Sequence, residues 1–249
     1  MCGLPFFKDL PDSDLDSLLG SAAVKDYPKN KPLFHQGDKA DRFFVILSGW
    51  VKLFRNTEEG DEAIVALFTR GDVFGEAAVF GGAGYPFSAQ AVEELHLIEI
   101  SAALLKERAK TNPEIMTRVM NSMSREMHKL QIENEHMAIM SAPQRVGCLL
   151  LQLFSGMIGK GGTFSFPYDK ALAAQRLGMK PETFSRALAQ LKPLGVTSKG
   201  TEIHIKSFHC LAEYCCGSCS ADLDDCKGAA RKSCGESACP GEKVQSCKA

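Results

Sequence analysis

The sequence lacks any long apolar run, and this absence excludes membrane proteins built from spanning helices. A spanning helix needs about 20 consecutive apolar residues, and no stretch of the 249 residues approaches that length. The N-terminal residues 1–9 also lack the basic start and apolar segment of a secretory signal. We therefore expect a cytoplasmic protein that does not associate with membranes.

Cysteine is nearly absent from the first 209 residues, where only Cys2 and Cys148 occur. In a reducing compartment, a cysteine cluster is more typical of metal binding or redox chemistry than of a disulfide framework. The candidate metal ligands are a subset of the eight remaining cysteines: Cys210, Cys215, Cys216, Cys219, Cys226, Cys234, Cys239 and Cys247.

The tail that carries most of these cysteines, residues 211–249, has almost no large apolar residues from which to build a core. Such a segment folds only if metal or sulfur chemistry stabilises it. Three interpretations stay open for the tail: an iron–sulfur or redox-sensing site, a structural or storage zinc site, and a disordered segment.

No charge of one sign predominates in the whole chain, which has 29 basic and 30 acidic residues and a net charge of −1. This balance does not exclude a nucleic-acid partner, because the electrostatic footprint of such a protein is local. Residues 165–209 contain seven basic and three acidic residues, a local net charge of +4. A nucleic-acid contact is therefore expected in this region.

The segment 172–191 has the pattern of two short helices joined by a tight turn. Gly178 suits the turn because glycine takes positive φ at little cost, and Pro181 suits the first position of the second helix. Four apolar residues of the second helix fall at helical spacing and would pack inward: Phe184, Ala187, Leu188 and Leu191.

The opposite face of the second helix carries Glu182, Ser185, Arg186 and Ala189, at spacing i, i+3, i+4 and i+7. Arginine can bind guanine O6 and N7 together, glutamate accepts from cytosine N4, and serine or alanine contacts thymine. This stripe therefore predicts a helix that contacts base pairs in DNA. The simpler alternative is an amphipathic surface helix with a solvated charge pair.

Residues 196–205 predict two short strands around a Lys-Gly turn, which would form a wing after the two helices. Lys199 and Thr201 of this wing are placed to meet backbone phosphates, which position a protein without specifying sequence.

The front half of the chain is rich in strands. Glycines recur at Gly37, Gly49, Gly60 and Gly71, and the intervening runs 42–47, 50–55 and 63–68 are rich in β-branched and aromatic residues. Strands at this spacing predict an antiparallel sandwich or barrel. Helices are expected on either side of it, at residues 9–19 and 101–109.

The longest predicted helix begins near Asn112-Pro113 and ends near Ala142-Pro143. A heptad seam runs along it, with one polar residue that can set register and partner number. Either this seam joins two copies of the chain, which we favour, or it packs on its own domain. Its members are Met116, Met120, Met123, Met127, Leu130, Asn134 and Met137.

A roll, a long helix and a winged helix-turn-helix, in this order, resemble the CRP/FNR family of bacterial transcription regulators over roughly residues 4–212. The most specific matches are the segments 71–77 and 178–186. The resemblance implies an α+β fold with four parts. These are a cyclic-nucleotide-binding-like sensor β-roll at 1–110, a dimerisation helix at 111–141, a winged helix-turn-helix DNA-binding domain at 142–210 and the Cys-rich tail at 211–249.

The Glu-x-x-Ser-Arg arrangement is similar to that of the FNR-like branch and implies a TTGAT-like half-site, repeated as a palindrome in double-stranded DNA. By this resemblance Glu182 and Arg186 contact the G·C pair, and Ser185 contacts a neighbouring thymine. A homodimer would place two such helices in successive major grooves. Thr183, Lys180 and Lys199 complete the predicted DNA-contacting set, and RNA polymerase is the protein partner that the family implies.

The resemblance also places an effector pocket at Gly75, Glu76, Phe87 and Ser88. Cyclic-nucleotide-binding members hold the ribose with the glutamate and the cyclic phosphate with an arginine, whose place Phe87 takes here. Without that charge-assisted partner the phosphate would be held poorly, so cyclic AMP is disfavoured. We expect Glu76 to tie down its turn and Phe87 to be a core residue.

The signal is expected to be redox, oxygen or nitrogen oxides. FNR-like oxygen sensors carry an iron–sulfur cluster on several N-terminal cysteines, and this chain has only Cys2 there. The segment 85–87 resembles the nitrogen-oxide-responsive branch, some members of which bind haem, but no histidine has the spacing of a haem ligand, so haem is disfavoured. Effector binding would reorient the two DNA-binding domains of the dimer through a hinge at residues 141–143.

No catalytic triad stands out, and we expect a regulator without enzymatic activity. Two alternatives from other classes stay open. One is a ligand-binding roll that regulates a partner protein, and the other is a metal or thiol buffer built on the Cys-rich tail.

Overall fold

The computed structural model describes residues 6–7, 20, 22–58, 60, 62–154 and 162–216. The chain divides into two compact units, residues 1–127 and 128–249. The predicted helix at 9–19 and the cysteines from Cys219 onward lie outside the described residues.

The described residues of the first unit form two four-stranded antiparallel sheets, with strand orders β1-β8-β3-β6 and β2-β7-β4-β5. This confirms the antiparallel front half predicted from the glycine spacing. The strands are β1 Ala23–Tyr27, β2 Pro32–Phe34, β3 Arg42–Ser48, β4 Trp50–Asn56, β5 Glu62–Thr69, β6 Val73–Phe74, β7 Ser88–Ala91 and β8 Leu95–Ser101.

Residues 43–47 of β3 are all apolar because both faces of this part of the strand are covered. Alternate residues of a strand point to opposite faces, and Phe44 and Ile46 pack into the roll interior. Phe43 and Val45 face the other way, into a second core. The roll is thus covered on one side by helices.

The described residues of this unit contribute to three helices: α1 Glu76–Gly81, α2 Ala102–Thr111 and α3 Pro113–Ile139. Helix α3 has 27 residues, which confirms the long helix predicted from sequence. Its first turns bury Ile115 and Val119 in the second core. Among the described residues, no helix combines the length and the apolar character needed to cross a membrane.

Beyond the end of α3, the described residues of the second unit form a three-stranded antiparallel sheet of order β10-β11-β9, four α-helices and a 3-10 helix at Lys192–Leu194. The predicted winged helix-turn-helix is confirmed. The elements are α4 Ala142–Phe154, β9 Gly162–Ser165, α5 Lys170–Arg176, α6 Pro181–Gln190, β10 Val196–Lys199, β11 Glu202–Ile205 and α7 Phe208–Cys216.

Candidate nucleic-acid interface

Local interactions define the start of α5 and the turn that follows it. The Asp169 side chain accepts a hydrogen bond from the Leu172 N–H at 2.7 Å and so caps α5. Gly178 has φ of 61°, the left-handed conformation that most side chains avoid. Lys180 precedes α6 in an extended conformation, and Pro181 is the first residue of that helix.

The apolar face of α6 packs as predicted. Phe184, Ala187, Leu188 and Leu191 are buried. The Phe184 ring meets the Phe166 ring edge-on, with centroids 6.2 Å apart. Because this face is fixed against the core, the orientation of the opposite face is fixed as well.

The opposite face of α6 is open to solvent. Glu182, Ser185, Arg186 and Ala189 are exposed, and Thr183 is half-buried. The Arg186 Nε donates to the Glu182 carbonyl oxygen at 3.4 Å, so the guanidinium lies along its own helix. The four residues predicted to share one face of the second helix therefore do so, and that face is exposed to solvent.

The wing has the predicted hairpin. Val196 pairs with Ile205 and Lys199 pairs with Glu202 across β10 and β11. Lys199 and Thr201 are exposed at the turn. The third strand, β9, was missed from sequence because it is only four residues long and its partner lies about 40 residues further along the chain.

One basic residue of the local patch lies inside the protein. The Arg176 side chain is only 13% exposed and pairs with Glu133. Arg176 therefore contributes little to the exposed charge of this region, and the sequence alone could not show this because its partner lies on α3. The other basic residues of the patch, Lys170 excepted, are exposed: Lys180, Arg186, Lys192, Lys199 and Lys206.

The heptad stripe of α3 lies on the surface of this chain. Met120 is 63% exposed and Met127 is 64% exposed. Met123, Leu130, Asn134 and Met137 are exposed as well, while Met116 is half-buried. The described chain therefore leaves most of this apolar row uncovered.

The predicted effector residues are engaged with different partners. Glu76, which is 5% exposed, accepts a hydrogen bond from the Ser122 hydroxyl of α3 at 3.1 Å. Burial raises the pKa of the Glu76 carboxyl. The Ser88 hydroxyl accepts from the Gln36 N–H at 3.0 Å. Gly75 precedes Glu76 with φ of 93°.

The expectation that Phe87 is a core residue was wrong, because Phe87 is only half-buried. Tyr85, two residues earlier, enters the roll core instead. Its ring stacks on Phe34 at 3.7 Å between centroids, and its hydroxyl donates to the Arg42 carbonyl oxygen at 2.6 Å. Residues 86 and 87 form a bend between Tyr85 and β7, so the side chains of Tyr85 and Phe87 do not follow the alternation of a strand.

The candidate metal ligands Cys210 and Cys215 lie in α7. Within the described ranges, no three His, Cys, Asp or Glu side chains gather as ligands would. Cys210 is half-buried and its N–H donates to the Ser207 hydroxyl at 3.4 Å. Cys215 is fully buried.

Comparison with known proteins bears on both units. The family profile of the cyclic nucleotide-binding domain matches residues 24–112, and that of the Crp-like helix-turn-helix domain matches residues 144–214. The chain is 29% identical over 200 residues to the cyclic AMP receptor protein of Thermus thermophilus, which covers 80% of this chain and 91% of that protein.

Two further proteins are similar to this chain over most of its length. The nitrogen fixation regulation protein FixK of Azorhizobium caulinodans is 30% identical over 191 residues, covering 72% of each chain. The crystal structure of a candidate cyclic nucleotide binding protein from Ruegeria pomeroyi shares 37% identity. It has a TM-score of 0.63 and covers 84% of this chain and 92% of that one. With its roll, long helix and winged helix-turn-helix, this chain belongs to the CRP/FNR family of DNA-binding transcription regulators.

Proposed function

We propose that this regulator binds a TTGAT-like inverted repeat as a homodimer and changes its DNA binding in response to a redox, oxygen or nitrogen-oxide signal. One observation carries the proposal. Glu182, Ser185 and Arg186 are exposed along one face of α6, and the opposite face of this helix is packed in the core. In this proposal α6 is the recognition helix. Glu182 and Arg186 contact the G·C pair, and Ser185 contacts the neighbouring thymine.

The exposed row on α3 supports the dimer. A row of large apolar side chains in contact with water is a common mark of a protein–protein interface. Heptad spacing suits a second copy of the same helix, with Asn134 as the polar position that sets register. Pairing of two copies of α3 would relate the two recognition helices by a twofold axis. This arrangement matches the symmetry of an inverted repeat.

The exposed lysines supply the part of the binding energy that does not depend on sequence. Lys180 and Lys199, together with Thr183, are assigned to phosphate contacts. Binding should therefore weaken steeply with salt. RNA polymerase is the further partner that we assign, by membership in the family.

The recognition stripe is tested with three duplexes: the inverted TTGAT repeat, the same repeat with its G·C pair changed, and a scrambled sequence. Wild type should prefer the first by more than about 1 kcal/mol per changed half-site, and Glu182→Ala should reduce that preference. Glu202→Ala, which removes an exposed acid of the wing, is the matched control. Equal affinity of wild type for all three duplexes contradicts the proposal.

Two observations bear on the effector. Phe87 takes the place at which a cyclic phosphate needs a cation, and the Glu76 carboxyl is bonded to Ser122. Cyclic AMP is therefore disfavoured as the effector. Calorimetric titration with cyclic AMP tests this, with no saturable binding expected and micromolar binding as the contrary outcome.

We propose an iron–sulfur or redox-sensing site on the cysteines beyond α7, with a structural or storage zinc site as the alternative. The buried sulfur of Cys215 packs inside the second unit, so the ligand set is expected to exclude it. An absorption spectrum and metal analysis of anaerobically purified protein, with and without residues 217–249, test this assignment. If the shortened chain binds the operator with an unchanged response to redox state, the tail is not the sensor, and a separate metal or thiol buffering role is favoured.

A further inference from the structure

A buried arginine connects three segments of the second unit. The Arg176 guanidinium, at the end of α5, lies 3.5 Å from Glu133 Oε1 of α3. It also donates to the Tyr168 hydroxyl at 3.3 Å, just before α5. Arg176 therefore ties the first helix of the helix-turn-helix directly to the long helix.

This guanidinium is charged in its buried position. Burial by itself lowers the pKa of Arg176, but Tyr168 and Glu133 together raise it above its ordinary value. A buried charge is tolerated only when its partners stay in place. Removing the carboxylate of Glu133 would leave the cation without its anionic partner, so the contact holds α5 in one position on α3.

Two further contacts hold the turn that follows α5. The Arg145 guanidinium of α4 donates to the Leu177 carbonyl oxygen at 3.0 Å. The Met137 sulfur of α3 lies 3.8 Å from the position that a Cβ of Gly178 would occupy. Met137 also belongs to the exposed heptad row. The turns of α3 that contain Glu133 and Met137 therefore contact the helix-turn-helix and also contribute to the heptad row.

We propose that Arg176 is a positioning residue that fixes the recognition helix relative to the dimer seam and so sets the half-site spacing that the dimer accepts. The inference rests on the proposed binding of an inverted repeat by a homodimer. The last turns of α3 and the helix-turn-helix then move as one body. A signal therefore reorients the DNA-binding domain at the hinge predicted at residues 141–143 only if it breaks the Arg176–Glu133 contact.

The test uses Glu133→Gln in the full-length chain, because this change removes the charge and keeps the shape. Affinity is measured for one half-site and for inverted repeats whose central spacer is changed by −1, 0, +1 and +2 base pairs. Each added base pair moves a half-site by about 3.4 Å along the duplex and rotates it by roughly a tenth of a turn. Glu213→Gln, an equal charge change at an exposed position of α7, is the control.

We expect Glu133→Gln to bind the single half-site as wild type does, within about twofold. Its preference for the best spacer over the next should fall about tenfold, within the usual range of coupling between sites. Glu213→Gln should keep the wild-type profile. A merely structural role for Arg176 would lower half-site affinity and leave the relative spacer preference unchanged.

An unchanged spacer preference in Glu133→Gln overturns the inference and leaves the proposed function intact. Equal wild-type binding of the inverted repeat and random duplex refutes the proposed function instead. If Glu133→Gln loses helical circular dichroism, Arg176→Lys replaces it in the same test, since lysine keeps the charge without the forked donors. A wild-type profile in Arg176→Lys would then count against the inference.

Discussion

The sulfur of Cys215 in α7 occupies the space beside Gly147 in α4, only 2.3 Å from where a Cβ on Gly147 would stand. The Leu211 Cδ1 atom is 3.1 Å from the same position. The two helices can therefore lie this close only because residue 147 has no side chain. Helix α7 packs on α4 and belongs to the folded second unit rather than to the tail. The predicted boundary at residue 210 falls inside this helix.

Gly147→Ala is expected to lower the free energy of unfolding by about 1–3 kcal/mol, because a methyl group there overpacks the interface. Cys215→Ala in the same chain should recover part of that loss, since it removes the clashing sulfur. Urea unfolding of both single variants and the double variant measures the coupling. Gly81→Ala is the control, because nothing lies within 4 Å of its Cβ position. Strictly additive losses would show that the two residues do not touch.

Asp169→Ala should lower the free energy of unfolding by about 1 kcal/mol, the usual cost of losing an N-cap. The reason is the hydrogen bond from the Leu172 N–H to Asp169 Oδ1. Asp169→Asn keeps an acceptor at the same place and should retain most of the stability. Chemical denaturation of the three proteins decides the matter, and an Asn variant as unstable as the Ala variant would refute the capping role.

Glu76→Gln should stabilise the folded chain at neutral pH and not at pH 4. Burial raises the pKa of Glu76 above its ordinary value of 4.5, so the folded state binds this proton more tightly than the unfolded state. The contribution of Glu76 to stability is therefore fully present below the unfolded pKa and is lost as pH rises through the folded pKa. Glutamine stays neutral and still accepts from Ser122.

Thermal unfolding of wild type and Glu76→Gln between pH 4 and pH 8 measures this effect. The difference in Tm should grow with pH, and Glu213→Gln should show no comparable trend. A difference that is constant over the whole range would mean that ionisation of Glu76 does not oppose folding.

Leu130→Glu should convert the proposed dimer into a monomer, because a carboxylate in the middle of an apolar seam opposes association. Leu130 is exposed in the single chain, so its own fold should be unaffected. Light scattering after size-exclusion chromatography gives the mass. Val24→Glu, at another exposed apolar position on β1, should leave the mass unchanged. A Leu130→Glu protein that remains dimeric would place the interface elsewhere.

Several elements could be predicted because their signals are local. The spacing of Phe184, Ala187 and Leu188 defines the inward face of α6 within a few turns, and the structure buries these residues. Strand β9 and helix α7 could not be predicted in the same way. Both elements are short, and each is defined by its partner, β11 or α4, at a distance in sequence.

The sequence by itself determined the order of the roll, the long helix and the winged helix-turn-helix, and the buried and exposed faces of α6, because backbone periodicity repeats over a few residues. Only the tertiary structure decided that Arg176 is paired inside with Glu133, that Glu76 meets Ser122 and that Cys215 lies against Gly147. These contacts join residues that are 43 to 68 positions apart. Side chains so far apart meet only where packing of whole elements brings them together, and local patterns carry no information about it.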